Sequence, residues 1–117
     1  MPQLQLLPPQ IAQQSISRRE IVLPLNVAIA AIDYCASNQI QILGWGGWIQ
    51  SSDGRVGHGN APQGTMSLDH LSIRDAADFC RRTIRDAALE WSQSNLGTTD
   101  RLHFCITVEV NDAETKP

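Results

Sequence analysis

Apolar and polar positions alternate along this chain in a way that marks out its elements in order. From Glu20 to Leu25 the run EIVLPL reads as a short strand, and Pro24 suits the start of a helix. Across Asn26 to Ser37 the apolar residues Val27, Ile29, Ala30, Ala31, Ile32 and Cys35 cover a broad helical stripe, with Asn38 as the stop, so the spacing predicts a largely buried helix. In QIQILGWGGWIQ, Ile40, Ile42, Trp45 and Trp48 belong to a strand interrupted by Gly44, Gly46 and Gly47, which predict a bulge or a close backbone approach. Ser52-Asp53-Gly54 supplies a tight turn that returns the chain into Arg55–His58 as a β-hairpin. Gly57, Gly59, Pro62 and Gly64 then make a loop with little side-chain volume for a core of its own.

Ser72, with Asp75 three positions on, marks a helix N-terminus: a serine oxygen accepts from first-turn amides and a carboxylate sits near the positive helix end. Ile73, Ala77, Cys80, Ile84, Ala87, Ala88 and Trp91 recur at helical spacing, while Arg74, Asp78, Arg81, Arg82, Arg85 and Glu90 take the other side, until Asn95 and Gly97 end the helix. Arg101 to Val110 alternates as a half-buried strand, with Leu102, Phe104, Ile106, Val108 and Val110 inward and His103 on the solvated side. The order strand, helix, hairpin, helix, strand predicts an α+β fold, a small mainly antiparallel sheet with two helices packed on one face. Residues 20–111 form that single domain. Residues 1–19, with Pro2, Pro8, Pro9 and five glutamines, read as an extended N-terminal arm whose Leu4, Leu6, Leu7 and Ile11 are able to lie along the body or a partner chain. Residues 112–117 read as a frayed tail.

Composition narrows the function. A chain of 117 residues with 9 Lys plus Arg against 12 Asp plus Glu carries a net charge of −3, which provides no cationic field for a phosphate backbone, so no direct nucleic-acid partner is expected. No apolar stretch is long enough to span a bilayer, and MPQLQLLPPQIAQQ lacks the basic start and apolar run of a signal peptide, so the expected location is cytoplasmic, away from membranes. Cys35, Cys80 and Cys105 are odd in number and set among apolar residues, which predicts reduced, buried thiols.

Chemistry-bearing motifs are sparse. GWGG lacks the lysine of a phosphate-binding loop and does not open a helix, so no cofactor is expected. His58, Asp69 and His70 lie in or beside the glycine-rich loop, but their spacing matches no metal or catalytic signature; no catalytic residue and no metal ligand is assigned. A small enzyme using that region remains an alternative, as does a homo-oligomeric adaptor module whose arm packs on a neighbouring subunit. Arg81, Arg82 and Arg85 are explained by ion pairs, with Asp78 before Arg81 and Arg82 and Asp86 after Arg82. Trp45 is assigned to the core. Trp48, three residues on, falls on the opposite face of an ideal strand, either as core packing or as a protein-binding anchor. The candidate partner-binding set is therefore Trp48, Asp53, Arg55, His58, Asp69 and Asp75, its acids forming a rim that suits a basic protein surface.

The segments LPLNVAIAAID (23–33), ILGWGGWI (42–49), the Asp53-Gly54 turn with Gly57-His58-Gly59, and HFCITVEV near the end together resemble bacterial immunity proteins that accompany polymorphic toxins, including those of contact-dependent growth inhibition systems. Where those proteins carry an acidic residue between the first Trp and the following Gly, this chain has Gly46, so a contact through that acid does not carry over. The resemblance implies a cytoplasmic, non-enzymatic antitoxin that binds and neutralises the C-terminal domain of a cognate toxin, many of which are nucleases.

Overall fold

A computed structural model describes residues 3–110 of the chain; the expected tail at 112–117 lies outside the described residues. Strands β1 (Ile21–Leu23), β2 (Ile42–Gln50), β3 (Val56–Gly57) and β4 (Arg101–Val108) form one sheet in the order β1-β4-β2-β3, with every neighbouring pair antiparallel. The helices are α1 (Pro9–Ala12), α2 (Leu25–Ser37) and α3 (Ile73–Ser94), and the two long ones pack together against the sheet. This is the expected α+β architecture.

Each long element follows from its sequence. Pro24 takes the extended conformation just before α2, where its missing N–H costs nothing because first-turn amides have no intrahelical partner. Ser72 caps α3, its hydroxyl accepting from Asp75 N at 3.0 Å. Ala28, Ala31, Ile32 and Cys35 of α2 and Ala76, Ala77, Cys80 and Ile84 of α3 form the buried stripes. The small residues let the helices approach the sheet closely, and Ile21, Leu23, Ile42, Phe104, Ile106 and Val108 fill the interface from the other side. Trp45 joins this core, with its ring edge-on to Phe104 at 5.5 Å and its indole N–H donating to Thr83 Oγ1 of α3 at 2.9 Å. An ion pair between Arg81 and Asp33, 2.7 Å, ties α3 to α2.

The bulge in β2 falls between Ile42 and Gly44. Downstream, the loop after β3 runs back along the outer edge of β2: Gly47 N donates to Pro62 O, Thr65 N to Trp45 O and Leu68 N to Leu43 O. Two glycines make this approach possible. A Cβ on Gly64, whose φ is +87°, would lie 1.9 Å from Trp45 O, and one on Gly47 would lie 2.6 Å from Pro62 O. The predicted loop is thus a strand-edge cover, anchored by buried Leu68.

Four expectations need correction. Where an extended arm was expected, the chain forms a 3-10 turn at Gln3–Leu6 and the one-turn α1, and Leu7 is buried with Leu4, Leu6 and Ile11 against the chain's own core. Proline fixes φ but starts a helical turn readily, and apolar residues gain more from an adjacent core than from solvent. The ion pairing on α3 centres on Arg81, which holds both Asp78 and Asp33, while Arg82 lies over the Phe79 ring at 5.3 Å. Finally, β4 ends at Val108, and His103 is buried at 5% exposure rather than solvated.

Candidate functional site

The β2–β4 register sorts the sheet residues by face. Trp45 lies opposite Ile106 and Gly47 opposite Phe104 on the helix-covered side; alternation then sends Trp48 with its partner His103, Gly46 with Cys105 and Gln50 with Arg101 to the other side. The two long helices bury their stripes on the first face; on the second, Val22, His103 and Cys105 are nonetheless buried. Trp48 is half-buried and stands outside the core cluster. Val56, opposite Gln50 on β3, is exposed on the same side, and the His58 ring stands edge-on to Trp48 at 5.5 Å.

Both imidazoles beside Trp48 are oriented by main chain. His58 Nδ1 lies 3.3 Å from Gly47 O and His103 Nδ1 lies 3.4 Å from Arg101 O. Burial pushes the His103 pKa below its ordinary value, favouring the neutral ring. Cys105, on the same face, is pushed up to about 11 by burial, and Cys35 and Cys80 to about 11 and about 12, so these thiols stay protonated and weakly nucleophilic at neutral pH.

At the tip of the hairpin, Asp53 accepts from the Ser51 hydroxyl, Arg55 N and Arg55 Nε, the last at 2.8 Å. The Ser51 bond foremost, then the Arg55 amide, holds its carboxyl below the usual aspartate range. This carboxylate is committed within its own turn.

The sequence-derived candidates therefore divide. Trp48, Asp53, Arg55 and His58 belong to the β2–β3 hairpin. Asp69 follows Leu68, whose amide bonds Leu43, four residues down β2 from the Gly47 carbonyl beside His58, or about 13 Å along the strand. Asp75 lies in the first turn of α3, sixteen residues and about 24 Å of helix from Trp91, whose indole N–H donates to Asn60 next to the hairpin. Among the described residues no group of three or more His, Cys, Asp or Glu side chains is arranged to hold a metal ion. His70 and Asp69 approach only to 4.0 Å, both largely exposed, and His58 is not with them.

His70 instead lines an apolar cleft of about 550 Å³ between the loop and α3, whose lining includes Trp45, Met66, Leu71 and Phe79. Its polar groups do not converge: Thr83 is already engaged by Trp45 and by the Phe79 carbonyl. His103, Gln50 and Arg101 are the residues of the open face that sequence reasoning missed. The available signal was parity: His103 shares its side of β4 with Cys105, a residue type that is usually buried.

Comparison with protein-family models, curated proteins and solved structures finds no match to this chain. No helix among the described residues is long and apolar enough to cross a membrane.

Proposed function

We propose that this protein is an immunity protein that binds the C-terminal domain of a cognate bacterial toxin in the cytoplasm and neutralises it through the open sheet face around Trp48. The observation that supports this reading is a half-buried tryptophan beside two imidazoles and exposed Val56, on the sheet face opposite the two long helices. A large, rigid aromatic with part of its surface still wet gains most when a partner completes its burial. The acids do not gather at Trp48, so the reading favours neutralisation by packing against the toxin over mimicry of a nuclease's phosphate substrate. The resemblance of the 42–49 block to immunity proteins points the same way.

The test is calorimetry against the toxin domain encoded immediately upstream, with Trp48→Ala and Asp53→Ala. Nanomolar binding is expected, with a loss above about 1.4 kcal/mol for Trp48→Ala and a smaller one for Asp53→Ala. Absence of binding at micromolar concentration would overturn the assignment for that partner. Tight binding indifferent to Trp48→Ala would keep the function and move the site.

A further inference from the structure

At the hairpin end of the sheet, two residue pairs beyond Trp48 and His103, Gln50 and Arg101 stand opposite each other and line a polar cleft of about 400 Å³, completed by Ser51, Ser52, Gly54 and Thr99. Its one charged lining group is a cation, Arg101. Gln50, Ser52, Thr99 and Arg101 all offer donors, and among the described residues none of these four side chains makes a hydrogen bond or ion pair with another protein group. Carboxylates do not supply the missing acceptor: Asp53 is held by Ser51 and Arg55, and Asp100, though adjacent in sequence, is not among the lining residues. A planar guanidinium flanked by hydroxyl and amide donors matches a carboxylate, which accepts through two oxygens in one plane.

We infer that this cleft receives an aspartate or glutamate side chain of the partner protein while Trp48 packs beside it, a reading that takes from the toxin-inhibitor proposal only the identity of the partner. The overall charge of −3 makes such a pocket a device for register. An acidic partner surface is repelled in general, and only a carboxylate placed at Arg101 is rewarded.

The test uses the full chain alone, labelled with 15N, and follows the Arg101 Nε–H and Gln50 side-chain amide signals by NMR. Probes are the peptide acetyl-Gly-Asp-Gly-amide, its Asn counterpart and inorganic phosphate. The aspartate peptide is expected to move both signals to saturation and the Asn peptide to leave them in place. Arg101→Gln should weaken the aspartate peptide by about tenfold, the equivalent of one charge-assisted hydrogen bond. Thr99→Val, which keeps the guanidinium, should weaken it less. Equal responses to the two peptides, or binding unchanged in Arg101→Gln, would overturn the proposal. A response to phosphate without one to the aspartate peptide would also overturn it, assigning the cleft to free anions. None of these outcomes depends on a toxin, so failure to capture one and failure of the cleft are separately visible.

Discussion

Trp48 lies three positions after Trp45 in β2, and the pleat sends Trp45 into the helix-covered core and Trp48 to the opposite face. Trp45 is completed by its own chain: Phe104 meets its ring, Thr83 takes its indole N–H, and 6% of it is exposed. Trp48 has the His58 ring edge-on and His103 across the strand, stays half-buried, and stands outside the core cluster. The same residue type in the same strand thus completes the core on one face and, on the reading proposed above, is left for a partner on the other. What decides between them is whether a second layer of structure covers the position.

The sharpest way to break this comparison is to remove both rings in turn. Trp45→Ala should cost about 3–5 kcal/mol of unfolding free energy in urea titrations, through lost burial and the cavity left behind. Gly64→Ala comes next, at about 3 kcal/mol, because it combines overpacking against Trp45 O with a positive φ. Trp48→Ala should change stability by less than about 1 kcal/mol while removing most toxin affinity. If it unfolds the chain as Trp45→Ala does, Trp48 is a core residue and the open face loses its anchor.

A smaller effect is expected from His103. Its folded pKa lies below the ordinary 6.5, so the unfolded chain binds more protons in that range. Its contribution to stability is complete above 6.5 and lost as pH falls through that value toward the lower folded pKa. The urea midpoint should therefore fall on acidification from neutral pH, with the slope reduced in His103→Gln. Smallest is the thiol response. Cys35, Cys80 and Cys105 should react with an aromatic disulfide at neutral pH only as fast as the chain opens, and a rapid reaction at Cys105 alone would show the open face to be looser than its burial implies.

Much of the architecture was legible in local patterns. The stripes of α2 and α3, the Ser72 cap, the Asp53-Gly54 turn and the opposite faces of the two tryptophans follow from periodicity and turn chemistry, which act over a few residues. The parts that were not legible depend on long-range placement. The folding of Leu4, Leu6 and Leu7 onto the core requires knowing where that core lies. The burial of His103 depends on its pairing with Trp48 across the sheet, and the sharing of Arg81 between Asp78 and Asp33 on the approach of two helices. The candidate site was half legible for the same reason: Trp48, Asp53, Arg55 and His58 are near in sequence and near in space, whereas Asp69 and Asp75 were joined to them only by type.

The outer strands of the sheet carry a further consequence. Outside β1, Val22 N donates to Ser15 Oγ and Val22 O accepts from Ile16 N; outside β2, β3 and residues 62–68 occupy the outward carbonyls and amides. With the outer sides of β1 and β2 occupied in this way and the edge strand β3 only two residues long, the sheet offers little template for another chain to extend it, which guards against edge-to-edge self-association. A partner such as the proposed toxin would then meet side chains rather than backbone ladders at these edges. Under the proposed reading, specificity is then retuned one codon at a time, without disturbing the scaffold beneath.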